Sequence, residues 1–187
     1  MSLLNIYLKK RGITVPWKIE PKPVQKFIHT VIIPAYAESE YLPLTLASLD
    51  TNNLSELKET LVIVVVNNAS DSSKQIRNDN KITLQKLDAE KYHFTLGVVD
   101  ASSQGLELPI KQAGVGLARK IGIDLALPYL LSKDSLIFCT DSDTVVSKNY
   151  IKNVILYSNL FFSRIQALMV INFHFTNNNS PVKVQFL

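Results

Sequence analysis

The chain has 187 residues, of which 47% are hydrophobic and 19% are charged, and its single cysteine is Cys139. This length and composition are typical of one folded globular domain and exclude a disordered chain. One cysteine excludes a disulfide scaffold and a cysteine-based zinc site. The sequence shows neither the roughly 20 consecutive apolar residues that span a bilayer nor a secretory signal, so a cytoplasmic location is the default expectation.

The formal net charge of +4 is concentrated near the N-terminus, where residues 1–30 contain six lysines and arginines against one glutamate. We divide off residues 1–27 as a basic leader. It is either a solvated segment or one attracted to an anionic surface, such as the inner face of a membrane or an anionic acceptor. Nucleic acid is not expected as a partner, because the basic residues do not alternate with aromatic ones as in a stacking platform.

Strand and helix patterns alternate along the rest of the chain. In chain order, we first predict a strand at 29–34, a helix capped by Ser39 with Leu42, Leu46 and Leu49 on one face, and a strand at 61–66. A short helix from Ser70 or Asp71 to about Asp79 follows, then a strand at 95–99 and a loop at 101–112. The last predicted elements are a helix with Leu117, Ile121 and Leu125 on one face that stops near Pro128, a strand at 136–140, a helix at 148–162 and an apolar run at 165–175. This alternation predicts a three-layer, mostly parallel α/β sheet with helices on both faces, a Rossmann-like nucleotide-binding fold. We assign residues 28–176 to this domain and residues 177–187 to a polar tail, the possible beginning of a truncated acceptor segment.

Polar residues follow the predicted strands at the point where each strand ends. They are Tyr36 and Glu38 after the first strand, Asn67 after the second, Asp100 after the third, and Asp141 and Asp143 after the fourth. In parallel α/β sheets, ligands bind outside the carboxyl ends of the strands. Two aspartates two residues apart suit a hard divalent cation, which can hold a diphosphate. Taken alone, however, the triplet 141–143 fits the start of a helix equally well.

Arg119 and Lys120 lie on a different face of their predicted helix from its apolar residues. They are either a solvated face or cations near a phosphate that the helix N-terminus also attracts. Gly114 and Gly116 lack the third glycine of a dinucleotide-binding fingerprint. We expect these two glycines to let the start of the helix pack close to the sheet.

Four segments, at residues 30–38, 66–71, 116–120 and 141–143, resemble the family 2 glycosyltransferases in order and spacing. The resemblance covers roughly residues 28–175. It implies the GT-A fold and an inverting transfer of a sugar from a nucleotide-diphospho-sugar donor to an acceptor hydroxyl. The implied cofactor is Mn²⁺ or Mg²⁺, which stabilises the negative charge on the departing nucleoside diphosphate. The acceptor could be lipid-linked, a polysaccharide or a protein.

The resemblance also implies roles for individual residues. Those that would line the nucleoside pocket are Pro34, Ala35, Tyr36 and Glu38. Asn67, where the family usually has Asp, would face the base, and Arg119 would lie near the nucleotide. Asp141 would contact the ribose or the metal, and Asp143 would bind the cation that bridges the diphosphate. This pair of aspartates corresponds to the family's DxD motif.

Three features depart from the family pattern. Ala37 stands where the family usually has Asn, and Lys120 stands where Asn is common. No Asp or Glu follows Asp143, so no residue is identified as the base that deprotonates the acceptor. We therefore expect this chain to hold the donor-binding half of the enzyme, as a truncated or split product or as a subunit that another completes.

Two other readings remain open on the same residues. The first is a non-catalytic nucleotide-sugar-binding domain that keeps the fold without turnover. The second is a haloacid dehalogenase-like phosphatase, in which Asp141 would be the nucleophile, although the downstream acidic pair of that class is missing. A sugar-nucleotide pyrophosphorylase is disfavoured because no glycine-rich loop follows the first strand.

Overall fold

The computed structural model describes residues 3–13, 15–132, 134–162 and 170–172. Within these ranges, five parallel strands form one sheet in the order β3-β2-β1-β4-β5. The strands are β1 (His29–Ala35), β2 (Thr60–Asn67), β3 (Thr95–Ala101), β4 (Leu136–Cys139) and β5 (Val170–Asn172). The helices are α1 (Leu3–Arg11), α2 (Leu42–Leu49), α3 (Leu54–Lys58), α4 (Lys74–Ala89), α5 (Val115–Ala126) and α6 (Tyr150–Phe162), and a 3₁₀ turn covers Leu127–Tyr129.

The two central strands are continuous apolar runs because both of their faces are covered. Every residue of β1 and β2 is buried, as expected for a parallel sheet between two helical layers. One core contains Val31, Val64 and Phe138 and is closed by α2, α3, α4 and α6. The other contains Ile32 and Val65 and is closed by α5 and part of the leader. The predicted three-layer α/β class is confirmed.

The basic leader contributes to the second core. Trp17, Ile19 and Phe27 are buried there, and the backbone of Glu20 exchanges two hydrogen bonds with Val98 of β3, at 2.7 and 2.8 Å. The leader is therefore not a solvated segment throughout. No helix within the described ranges has both the length and the apolar character needed to cross a membrane.

Two helix predictions were wrong in their details. Helix α4 begins after Ser73, whose hydroxyl accepts from the Ile76 amide at 3.3 Å, and it continues ten residues past Asp79 to Ala89. Its buried face includes polar residues, which obscured the amphipathic pattern. Ser39 does not cap α2, because its hydroxyl donates to Asp79 Oδ2 at 2.8 Å. Of the predicted apolar run at 165–175, β5 covers 170–172; the rest of that run and the tail at 177–187 lie outside the described residues.

The expectation that Gly114 and Gly116 allow close helix packing was also wrong. A Cβ at either position would meet no atom within 4 Å. The close approach occurs at Gly122 in the middle of α5, where a Cβ would lie 2.6 Å from Ile32 Cγ2 and 3.1 Å from Val65 Cγ2. Gly122 is thus the residue that allows α5 to lie directly on β1 and β2.

Replacing Gly122 with alanine is expected to destabilise the fold by about 1–3 kcal/mol, because the new methyl group overpacks the interface between α5 and the sheet. The matched control is Gly116→Ala in the same helix, where the methyl group meets open space and better helix propensity should stabilise by about 0.5–1 kcal/mol. Urea unfolding of both variants measures the difference. Equal stabilities for the two variants would show that the close approach at Gly122 is not real.

Candidate functional site

The strand order reverses between β1 and β4, so the expected position of a ligand crevice is between the carboxyl ends of these two strands. The chain runs from β1 outward to β2 and β3 and then returns to β4 on the opposite side of β1. Ligands of open α/β sheets bind at such a reversal of strand order. Because β4 ends level with Ile32, three residues before β1 ends, the loop after β4 begins beside the last residues of β1.

The best-defined contact at this edge joins Arg119 of α5 to Asp141 in the loop after β4. Arg119 Nη2 donates to Asp141 Oδ1 at 2.6 Å, and the two side chains are only 16% and 28% exposed. The Nε atom of Arg119 is buried, and no hydrogen-bond partner for it lies among the described residues. The structure thus brings together two of the residues predicted for the site, 22 positions apart in sequence.

Cys139, the last residue of β4, lies close enough to this ion pair to sense both charges. Burial raises the pKa of its thiol to about 12, while Arg119 lowers the pKa and Asp141 raises it. Since the thiolate is the reactive form, this cysteine has a structural role in the core rather than a chemical one.

Glu38 lies close enough to Asp143 at this edge for the two carboxylates to repel each other. The pKa of Glu38 is raised, chiefly because burial disfavours the charged form and also because Asp143 and Asp79 repel it. Asp143 itself is exposed. Carboxylates that repel one another at an exposed edge have the hard oxygen donors that Mg²⁺ and Mn²⁺ prefer.

No group of three or more His, Cys, Asp or Glu side chains in the described ranges has the arrangement of a metal site. A Mg²⁺ ion that binds with substrate phosphates typically takes one or two carboxylates and fills its remaining positions with phosphate oxygens and water. Asp143 with either Asp141 or Glu38 provides a donor set of that kind.

The loop that carries the two aspartates is held in place by α2. Thr45 Oγ1 donates to the Ser142 carbonyl at 2.7 Å, and the Val146 amide donates to Ser48 Oγ at 2.9 Å. Asn52, three residues after α2, donates from Nδ2 to the Ser147 carbonyl at the far end of the loop, and its Oδ1 accepts from the Ile151 amide in the first turn of α6. These anchors were not predicted from the sequence. The spacing of Thr45, Ser48 and Asn52 at i, i+3 and i+7 could have indicated a polar face next to the leucines of α2.

Asn67, Pro34 and Ala35 are more buried than their predicted roles suggest. Asn67 is 3% exposed, and its side-chain amide donates to the carbonyls of Ala35 and Val65 at 3.0 and 3.2 Å. This side chain therefore ties the ends of β1 and β2 together. The side chains of Pro34 and Ala35 are buried as well, so what they present at the sheet edge is backbone.

Asn80 of α4, which the sequence analysis missed, organises the turns after β1 and β2. It is 1% exposed, its Oδ1 accepts from the Ala37 amide at 2.9 Å, and its Nδ2 donates to the Asn67 carbonyl and to Asn68 Oδ1. Ala37 has φ of 55°, a left-handed conformation. Asn adopts that conformation more readily than Ala. This preference is a physical reason for the Asn that family 2 glycosyltransferases usually have at the position of Ala37.

Tyr36 and Asp100 occupy different parts of the edge. Tyr36 follows β1 directly and is 48% exposed, so its ring can receive a ligand. Asp100 Oδ1 accepts hydrogen bonds from the amides of Ser102 and Ser103, both at 2.9 Å, and so shapes the turn after β3. Because β2 separates β3 from β1, the structure does not place Asp100 at the crevice between β1 and β4.

Replacing Glu38 with glutamine is expected to stabilise the unliganded protein at pH 7. A carboxyl group whose pKa is raised on folding contributes stability below its ordinary pKa of 4.5, and that stability is lost as pH rises through the folded pKa. The neutral amide avoids that loss, so the melting temperature of the variant should exceed that of wild type at pH 7 and approach it below about pH 4. Thermal unfolding across this pH range is the measurement. A variant less stable than wild type at pH 7 would contradict the assigned repulsion.

Comparisons with known proteins give the following matches. No protein family model and no curated protein matches the chain. Three crystal structures of S. aureus TarS are each similar to 71% of the chain. TarS 1–349 has 20% sequence identity and a TM-score of 0.44, and TarS 1–349 in complex with UDP-GlcNAc has 22% identity and a TM-score of 0.45. The structure of TarS has 23% identity and a TM-score of 0.47. The chain spans 32%, 31% and 19% of these structures. At this level of similarity, the ligand and the reaction have to be inferred from the residues of the site.

Proposed function

We propose that this chain binds a nucleotide-diphospho-sugar through a divalent cation and serves the donor side of an inverting glycosyltransferase of the family 2 type. The observation that supports this most is that carboxylates and an arginine lie together at one edge of the sheet. Asp141, Asp143 and Glu38 suit a cation, and Arg119 suits a phosphate. A diphosphate with its metal ion needs both.

Each residue has a distinct task in this proposal. Asp143 and Asp141 hold Mn²⁺ or Mg²⁺, and Arg119 donates hydrogen bonds to the diphosphate. The exposed ring of Tyr36 stacks against the nucleoside. When bound, the metal ion neutralises the charge that develops on the leaving diphosphate. No residue is assigned to binding of the acceptor or to its deprotonation.

The proposal is tested by calorimetry of the chain with UDP, GDP and ADP, each with Mn²⁺ and with EDTA. We expect binding of at least one nucleotide, in the presence of the metal only. Absence of binding in every combination would overturn the proposal.

Activity assays separate the remaining alternatives. Sugar transfer, or hydrolysis of the matching nucleotide sugar, supports the enzyme. Metal-dependent binding without turnover supports the non-catalytic binding domain. Release of phosphate from p-nitrophenyl phosphate supports the phosphatase reading, in which Asp141 attacks phosphorus.

We also propose that α1 brings the protein to an anionic membrane surface from the cytoplasmic side. Lys9, Lys10 and Arg11 are exposed at the end of this helix, and Leu4 and Ile6 are exposed along it. Each basic residue contributes about 1 kcal/mol at such a surface. Co-sedimentation should occur with vesicles containing 30% phosphatidylserine and should be lost after K9E and K10E. Equal sedimentation with neutral phosphatidylcholine vesicles would count against the contact.

A further inference from the structure

We propose that Arg119 is a counter-ion that occupies Asp141 until a nucleoside diphosphate draws it away, so that the diphosphate and the divalent cation bind cooperatively. The inference rests on the proposed function and deepens it by assigning an order to the site. Without nucleotide, Arg119 competes with the metal. With nucleotide bound, the same residue helps to retain the diphosphate.

The ion pair between Arg119 and Asp141 is strong. A guanidinium nitrogen 2.6 Å from a carboxylate oxygen is a short, charge-assisted hydrogen bond. Both side chains are largely shielded from water, at 16% and 28% exposure, so solvent screens the attraction less than on an open surface. Asp141 is therefore satisfied by a protein cation before any metal arrives.

Arg119 and a divalent cation compete for Asp141. A divalent ion that binds Asp141 lies close to the charge of Arg119, and like charges at short range repel strongly where water is partly excluded. The metal can then use Asp141 fully only if the guanidinium moves off that carboxylate. The exposed Asp143, beside Glu38, does not face this competition and offers the metal its first contact.

The pair with Asp141 does not use all the hydrogen-bond donors of Arg119. Its Nε is buried, and among the described residues nothing accepts its hydrogen bond. A guanidinium has five N–H donors in a fixed fork that matches phosphate oxygens. The buried Nε becomes accessible only when the guanidinium moves off Asp141, and a diphosphate then gives it the acceptor that it lacks in the unliganded site. Bound diphosphate therefore favours the position of Arg119 away from Asp141.

The consequence is a reciprocal coupling. If nucleotide removes the competitor of the metal, then nucleotide tightens metal binding by some factor, and metal tightens nucleotide binding by the same factor. Couplings between such sites are typically 5–150-fold. Part of the coupling in this site comes from direct contact between metal and phosphate, so the contribution of Arg119 has to be isolated by a variant.

The decisive experiment measures Mn²⁺ binding without nucleotide, by the electron paramagnetic resonance signal of free Mn²⁺, for wild type and Arg119→Met. We expect the variant to bind Mn²⁺ about tenfold more tightly, and the factor by which a nucleoside diphosphate improves that binding to shrink by a similar amount. Unchanged or weaker Mn²⁺ binding by the variant overturns the inference.

The matched control is Arg77→Met, which removes the same charge from another arginine–carboxylate pair, Arg77 Nη1 to Glu107 Oε1 at 3.3 Å. It should leave Mn²⁺ affinity within twofold of wild type. If it tightens Mn²⁺ binding as much as Arg119→Met, the effect is one of net charge, and the inference fails.

A second measurement does not depend on the folding of the methionine variant. The Nε–H resonance of Arg119 in wild type, assigned by comparison with Arg119→Lys, should shift when the diamagnetic pair of Mg²⁺ and nucleoside diphosphate is added. No shift at saturation overturns the inference while leaving the proposed function intact. Failure of wild type to bind any metal–nucleotide pair is the separate outcome that removes the proposed function.

Discussion

Replacing Asp143 with alanine is expected to weaken metal-dependent binding of a nucleoside diphosphate by about 100-fold or more while leaving the fold unchanged. Asp143 is the exposed carboxylate of the site, in the loop that follows β4. Its loss leaves the cation only Asp141 of the pair of aspartates, and Asp141 is paired with Arg119 before any ligand binds. Even residues one layer behind a metal ligand typically change affinity by 10–100-fold, so removal of a ligand should cost at least as much.

Calorimetry with Mn²⁺ and nucleotide measures the loss, and Asp88→Ala is the control. Asp88 is an exposed aspartate in the last turns of α4, so its replacement changes the net charge equally. Thermal unfolding should show that the Asp143 variant is at least as stable as wild type, because the repulsion of Glu38 is reduced. Wild-type affinity in the Asp143 variant would remove the basis for the metal assignment.

The parts of the fold that sequence alone predicted are those that a local pattern determines. The runs in β1 and β2 are uniformly apolar because helices cover both faces, and no helical period fits them. Because the strands are parallel, the residues that follow each strand lie at the same edge of the sheet, the one formed by the carboxyl ends. The proximity of Glu38 and Asp143 therefore followed from topology and required no knowledge of side-chain packing.

The parts that sequence did not predict depend on contacts between distant residues. The predicted helix stops at about Asp79, whereas α4 continues through Asn80 and Thr83, which are polar but buried, and Asn80 binds two separate turns. Likewise, the partner of Arg119 is chosen by the position of α5 over the sheet, which Gly122 sets. No pattern within one segment contains that information.

The same limitation applies to the attachment of the leader to the domain, which depends on a buried carboxylate. Asp124 of α5 is 0% exposed. It accepts hydrogen bonds from the Tyr7 hydroxyl at 2.9 Å, the Ile13 amide at 2.8 Å and Lys120 Nζ at 2.8 Å. Burial lowers the pKa of Lys120, but its hydrogen bonds to Asp124 and Tyr7 more than offset this, so the net direction is upward. One side chain thus fastens both α1 and the residues after it to α5.

Replacing Asp124 with alanine should therefore destabilise the protein by about 3 kcal/mol. The change leaves the Ile13 amide and Lys120 without their fully buried acceptor, and a donor left unsatisfied away from water costs about 1–3 kcal/mol, whereas Lys120, 38% exposed, can turn toward water. Urea unfolding gives the free energy. Hydrogen exchange of the backbone amides in α1 and at Ile13 shows whether the leader detaches before the sheet unfolds.

Two milder variants make this test specific to the carboxylate. Asp124→Asn keeps one oxygen acceptor and loses the charge, and Tyr7→Phe removes only one hydroxyl donor, so the expected loss of stability falls from alanine to asparagine to phenylalanine. A uniform small effect, within about 0.5 kcal/mol of wild type for all three, would mean that the apolar contacts of Trp17, Ile19 and Phe27 suffice to hold the leader. A graded loss, with faster exchange confined to the leader, would instead show that a polar contact fixes an otherwise separable segment to the back of the helix that carries Arg119.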